Sequence, residues 1–188
     1  MTSPVLYLLA SAAGPTQYLD DGVRAAQADG WDVHAVLTPT AARWWEPRMG
    51  ELEEVTGHPA VWEYRVPGQD VRGASSLPKA DAMLFAPLTT TSTCKWAAGI
   101  TDTAALGIVA EAVHMGVPVV AMPFWNASLY AQSAVRVAEE NLRGQGVKLV
   151  FGPGEPHPPK TGSARDFPWD LAVSAVRETV RETVPPRA

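Results

Sequence analysis

One stretch of the chain decides the fold, residues 82–93 with the sequence AMLFAPLTTTST. Its first part, 82–86, is a continuous apolar run of strand length, which is typical of a parallel strand covered on both faces. Its second part is rich in hydroxyl side chains. Because ligands of open parallel sheets bind beyond the carboxyl ends of the strands, the stretch predicts a central strand followed directly by a binding loop.

Apolar runs and helical spacing alternate along the rest of the chain. Further strands are predicted at 5–10, 32–37, 117–122 and 147–151, with a strand-like segment at 60–66. Helical spacing covers 16–28, 102–115, 129–142 and 170–184, and another helix begins at Thr38-Pro39. This alternation predicts a three-layer α/β sandwich with a parallel, Rossmann-like (flavodoxin-like) sheet.

Composition limits the possible functions. A chain of 188 residues with 46% hydrophobic content predicts a single domain over 1–188. The net charge of -5, with no run of Lys or Arg, argues against nucleic-acid and membrane partners. No secretory signal or membrane span is recognisable, so a cytoplasmic location is expected. The single cysteine, Cys94, excludes an internal disulfide and a CxxC zinc site, and no metal is predicted.

Residues 152–169 contain five prolines and three glycines, which predicts a flap without regular structure, either mobile or lying on a neighbouring copy. The chain has four histidines. We expect structural roles for His34 and His114 and a surface loop for His58, whereas His157 in the flap is a candidate substrate clamp.

Hydroxyl side chains follow three of the predicted strands, at Ser11, at Thr38 and over 89–93. Together with free N–H groups at helix N-termini, they suit a phosphate. The other interpretation is that 89–93 is an N-cap cluster, because Ser and Thr are favoured there in any helix. Neither GxGxxG nor GxxxxGK[ST] is present, which disfavours dinucleotide and ATP binding.

Two motifs carry a family resemblance, PLTTTSTCKWAAGITDT at 87–103 with Ala80-Asp81 before it, and PFWNASLY at 123–130. They resemble the signatures PASANTIAKxAxGIADN and PxMNxxMW of the homo-oligomeric flavin-containing cysteine decarboxylases. That family includes phosphopantothenoylcysteine decarboxylase and peptidyl-cysteine decarboxylases of modified-peptide biosynthesis.

The resemblance implies an FMN cofactor, with Ser11 and Thr38 near its phosphate and further contacts from the first motif at Pro87, Thr89, Thr91 and Ser92. It implies that Asn126 is catalytic and contacts the substrate carboxylate, with Trp125 beside it in the substrate site. It also implies a homotrimer or a dodecamer of trimers.

The chain departs from the family pattern in three places. The position of the family histidine falls at or near Gly73, and no histidine lies in 71–77. Thr91 replaces the Asn of the first motif, and no cysteine follows Cys94. The implied function is FMN-dependent oxidative decarboxylation of a peptide's C-terminal cysteine to an enethiol, by a carbon–carbon lyase. The alternative is an FMN-binding protein of the same fold, without this activity.

Overall fold

The computed structural model describes residues 3–64 and 77–183. Within these ranges the strands are β1 Val5–Ala10, β2 Asp32–Leu37, β3 Ala82–Leu88, β4 Val119–Pro123 and β5 Lys148–Leu149. They are parallel and form one sheet in the order β2-β1-β3-β4-β5. This is the flavodoxin-like order, in which the chain changes direction across the sheet between β1 and β3.

The helices are α1 Leu19–Ala28, α2 Pro39–Trp45, α3 Met49–Thr56, α4 Thr90–Ala97, α5 Ala104–His114, α6 Ala127–Tyr130, α7 Ser133–Gly144 and α8 Trp169–Thr183. Short 3₁₀ turns at Gly14–Tyr18 and Glu46–Arg48 precede α1 and α3. Of the helices described, none combines the length and apolar character that crossing a membrane requires.

Two apolar cores cover the two faces of the sheet. On β1, Leu6 and Leu8 belong to the core that contains α1, α2, α3 and α8. Tyr7 and Leu9 belong to the opposite core, with side chains of α4, α5 and α7. Because both faces are buried, the strands are continuous apolar runs rather than alternating ones. The predicted single-domain, three-layer α/β fold is confirmed.

Some element bounds differ from the prediction. The segment predicted as a strand at 60–66 makes one parallel bridge, between Val61 and Val36, and its residues 65 and 66 lie outside the described ranges. The helix predicted at 129–142 is divided into α6 and α7, because Gln132 has an extended backbone and starts a new helix. The C-terminal helix begins at Trp169, one residue before its predicted start.

Candidate functional site

The carboxyl ends of β1, β2 and β3 open onto a cavity of about 390 Å³. This volume lies within the range of small-molecule sites. Much of its lining consists of hydroxyl side chains, namely Ser11, Thr38, Thr40, Thr89, Thr91, Ser92 and Thr103. The family resemblance implies cofactor contacts for five of these seven, and the fold brings those five together.

Ser11 joins the ends of two strands. Its buried hydroxyl donates to the carbonyl of Pro87 at 3.0 Å and accepts from the N–H of Thr89 at 2.9 Å. The N–H of Ser11 also donates to the Pro87 carbonyl. Pro87 itself lies inside β3 and contributes a backbone acceptor to this junction, so its assignment to the cofactor stays a prediction.

Thr89 is the N-cap of α4. Its hydroxyl accepts from the N–H of Ser92 at 3.2 Å and donates to the Ser92 hydroxyl at 3.1 Å. Thr91 is exposed in the first turn, where backbone N–H groups have no partner within the helix. The hydroxyl cluster therefore caps the helix and also presents donors to the cavity.

Three helices begin at this cavity, because Thr38, Thr89 and Thr103 cap α2, α4 and α5. The positive ends of their dipoles favour an anion there. The cavity wall also carries Lys95, whose Nζ lies 2.6 Å from Oδ2 of Asp102. These charges and donors fit a phosphate group.

Asn126 follows β4, the neighbour of β3, and is the N-cap of α6. Its Oδ1 accepts from the N–H of Leu129 at 3.0 Å. This bond fixes the orientation of the amide, so the Nδ2 group, a double donor, is directed away from the helix. A double donor suits a carboxylate, the ligand that the resemblance implies for this residue.

Trp125 lies in an aromatic cluster. Its ring is 3% exposed, stacks with Tyr130 at 6.2 Å between centroids and meets Phe151 edge-on at 6.0 Å. Its indole nitrogen is buried without a hydrogen-bond partner. Trp125 does not line the hydroxyl-rich cavity, and its role toward substrate stays a prediction.

The flap lies on loops of its own chain. The carbonyl of His157 accepts from the N–H of Ala127 at 2.8 Å, and His157 forms a bridge with Asn126. Farther along the flap, Ala164 lies so close to Gly14 that a Cβ at Gly14 would stand 2.9 Å from its methyl group. The Pro- and Gly-rich segment therefore covers the strand ends beside the cavity.

His157 and Glu155 form a pair within this flap. The Nδ1 of His157 lies 2.9 Å from Glu155 Oε2, and the side chains are only 15% and 12% exposed. The ring packs on Phe124 at 4.7 Å between centroids. The sequence indicates such a pair only through the spacing Glu-x-His. The position near Gly73, where the family histidine would fall, lies outside the described residues.

A doubly wound parallel sheet with an anion-suited cavity at its switch point defines a protein of the flavodoxin-like class of α/β folds. The family comparison is more specific, because the Flavoprotein family matches residues 2–181. The chain therefore belongs to the Flavoprotein family, which confirms the family resemblance and supports a flavin cofactor. A search of curated proteins finds no match.

Solved structures share the fold. The FMN-dependent cysteine decarboxylase TvaF from thioviridamide biosynthesis is 19% identical with a TM-score of 0.71, over 94% of this chain and 98% of TvaF. The cypemycin decarboxylase CypD is 15% identical with a TM-score of 0.69, over 96% of each chain. The FMN-binding protein AtHal3 is 17% identical with a TM-score of 0.72, over 97% of this chain and 99% of AtHal3.

Proposed function

We propose that this protein is an FMN-dependent decarboxylase that converts the C-terminal cysteine of a peptide to an enethiol. The observation that carries the proposal is the cavity at the switch point of the sheet, with hydroxyl groups and helix N-termini on its wall and Asn126 at the end of the next strand. TvaF and CypD, which share the fold, are decarboxylases by name.

FMN fits the residues present. Thr38, Thr89, Thr91 and Ser92 would hold the phosphate and neighbouring polar groups, and Ser11 would hold the Thr89 loop in place through its hydrogen bonds. A mononucleotide carries one phosphate, and this wall offers donors in one cluster without the glycine fingerprint of dinucleotide sites. The chemistry that FMN supplies when bound is a two-electron oxidation of the cysteine side chain, after which the carboxylate leaves as CO2.

The protein's own residues bind and orient the peptide terminus. The Nδ2 group of Asn126 donates to the substrate carboxylate, and the cap to Leu129 prevents the amide from turning over. The flap segment at His157 is bonded to the chain beside Asn126 and restricts solvent access to the same place. A peptide C-terminus would therefore lie at the start of α6, beside the flap.

The alternative is FMN binding without cysteine decarboxylation. What favours it is the absence of histidine from 71–77, where the family pattern has one. In that case the protein would serve as a redox or partner subunit, or would catalyse other flavin chemistry.

Anaerobic incubation of the yellow protein with short peptides ending in Cys separates the two functions. The decarboxylase bleaches its flavin and releases a product lighter by two hydrogens plus CO2, whereas the same peptides ending in Ser give neither change. A yellow protein inert to all Cys-terminated peptides supports the alternative. A colourless protein that FMN cannot reconstitute contradicts both.

Assembly as a homotrimer or a dodecamer of trimers is part of this proposal. Thr40 and Thr91 on the cavity wall are exposed in a single chain, which leaves room for a neighbouring copy to cover them. Light scattering coupled to size-exclusion chromatography measures the assembly, and a monomer that retains FMN would contradict it.

A further inference from the structure

A second polar cluster lies at the amino end of β2. Asp32 and His34 are two residues apart on this strand, so their side chains share one face of the sheet. The hydroxyl-rich cavity begins at the opposite end of the strand, at Thr38, about 20 Å away along the backbone. The cluster is therefore separate from the proposed FMN site.

His58 completes the cluster from the loop after α3. Its Nε2 lies 2.7 Å from Oδ1 of Asp32, and Nε2 of His34 lies 3.6 Å from the other carboxylate oxygen. Among the described residues, one ligand atom from each of these three side chains lies within 4.8 Å of the other two. The arrangement presents two imidazoles and one carboxylate.

His34 is the residue that points to a ligand. Its side chain is only 8% exposed, and its Nε2 is buried without a hydrogen-bond partner while facing the cluster. Buried polar groups in native proteins almost always have a hydrogen-bond or metal partner. The unpaired Nε2 of His34 therefore indicates a ligand at this place.

The loop that carries His58 is held on both sides. The hydroxyl of Thr56 accepts from the N–H of His58 at 3.2 Å. After it, the N–H of Val61 donates to Ala35, and the Val61 carbonyl accepts from Leu37. The backbone is thus fixed beside β2 before any ligand arrives.

The two imidazole rings stack, with centroids 3.9 Å apart and planes inclined by 16°. In this position the nitrogen lone pairs of the two rings are nearly parallel and do not point at one common position. The His58 side chain is 33% exposed, so its ring can tilt out of the stack while the buried His34 stays in place.

We propose that Asp32, His34 and His58 bind a divalent transition-metal ion of the zinc class. Imidazole nitrogen and carboxylate oxygen are common Zn²⁺ ligands, and three protein ligands leave a fourth tetrahedral position open. The Asp32 side chain is 38% exposed, so solvent water reaches that position. A bound ion would link β2 to the loop after α3, independently of any flavin chemistry.

The test is calorimetric titration of the chelator-treated full-length protein with ZnCl2, alongside the variants Asp32→Asn and His58→Gln. The matched control is His114→Gln, an exposed histidine at the end of α5. Co²⁺ provides a second readout through visible absorption bands of the coordinated ion.

We expect one Zn²⁺ per chain in the wild type and the control, and about tenfold or greater loss of affinity in each cluster variant. The Co²⁺ bands should disappear in parallel. His58 is partly exposed, so its substitution leaves the fold intact, which circular dichroism verifies. Failure of the wild type to bind either ion, or unchanged binding in both cluster variants, overturns the proposal.

Discussion

The backbone N–H of Thr89 donates a 2.9 Å hydrogen bond to the hydroxyl of Ser11, across the junction between β3 and β1. The same hydroxyl donates to Pro87, so one small side chain determines where the loop into α4 leaves the sheet. The hydroxyl groups of the cavity wall depend on this position, since Thr89 begins their cluster.

Replacing Ser11 by Ala should destabilise the fold. The Thr89 N–H loses its acceptor in a half-buried place, and leaving such a donor unpaired costs about 1–3 kcal/mol. Urea denaturation measures the free energy of unfolding, with Ser133→Ala as the control because Ser133 is exposed at the start of α7. Equal unfolding midpoints for the two variants would contradict the junction role of Ser11.

Thr91→Val should weaken FMN binding and leave the free energy of unfolding unchanged. Valine has the shape of threonine, and the site is exposed, so the free energy of unfolding should stay within about 0.5 kcal/mol. Loss of a hydrogen bond to a charged phosphate should weaken FMN binding about 10- to 100-fold. Flavin fluorescence during reconstitution measures the affinity. The exposed Thr101, substituted by Val, is the control, and the same FMN affinity in both variants would exclude Thr91 from the site.

The variant Asn126→Asp distinguishes the role of Asn126 as the N-cap of α6 from its proposed role as a donor to the substrate carboxylate. Aspartate still accepts from the Leu129 N–H and caps α6, but it lacks the Nδ2 donor and repels a substrate carboxylate. FMN binding should persist, while decarboxylation should fall at least about tenfold to a hundredfold, the worth of a hydrogen bond to a charged group. Mass spectrometry of the peptide product measures turnover. Wild-type turnover in Asn126→Asp would contradict the proposal that Asn126 binds the substrate carboxylate.

His157→Gln tests the flap. The imidazole is nearly buried between Phe124 and Gly162, beside the segment bonded to Asn126, so its loss should loosen the flap. We expect a several-fold increase in KM for the peptide, with FMN binding unchanged. Gly162→Ala should act in the same direction, because its Cβ would stand 2.5 Å from His157 Nε2. Lys160→Gln, exposed in the flap, is the control; an unchanged KM in the first two variants would argue against a clamp.

The Cys94 thiol should react slowly with alkylating reagents. Burial raises its pKa, so less of the nucleophilic thiolate exists at neutral pH than in a free thiol. The rate of iodoacetamide alkylation should increase as the pH rises, with a midpoint above that of free cysteine. Cys94→Ala should retain FMN and turnover. Rapid alkylation at pH 7 would show a reactive cysteine instead of a packing residue.

The strands and the hydroxyl-rich cavity could be predicted from the sequence. A strand that is buried on both faces needs apolar residues at consecutive positions, and this pattern can be recognised in the sequence. Residues 82–93 contain such an apolar run together with the hydroxyl side chains. The parallel sheet then brings Ser11, Thr38 and Thr89 together, since each follows a strand end. Strand bounds were less predictable where pairing is partial, as at Val61.

Contacts between residues that are far apart in the sequence have no comparable sequence pattern. The sequence predicts a surface loop for His58, yet its ring stacks on His34, which is 24 positions earlier in the sequence. The alternation of Asp32 and His34 on one strand face was visible, but their third partner depends on how the loop after α3 returns to the sheet. Proline and glycine content predicted an irregular flap without showing that its His157 would bond beside Asn126.

The two outer strands of the sheet also restrict how copies of this chain can associate. β5 has only two residues, and Arg143 donates to the carbonyl of Leu149 at 3.5 Å. At the other edge, Val61 occupies backbone groups of β2. Short or covered edges resist intermolecular strand pairing. Self-association would therefore proceed through side chains of helices and loops. The sheet of each copy would keep its own strands and would not pair with the sheet of another copy.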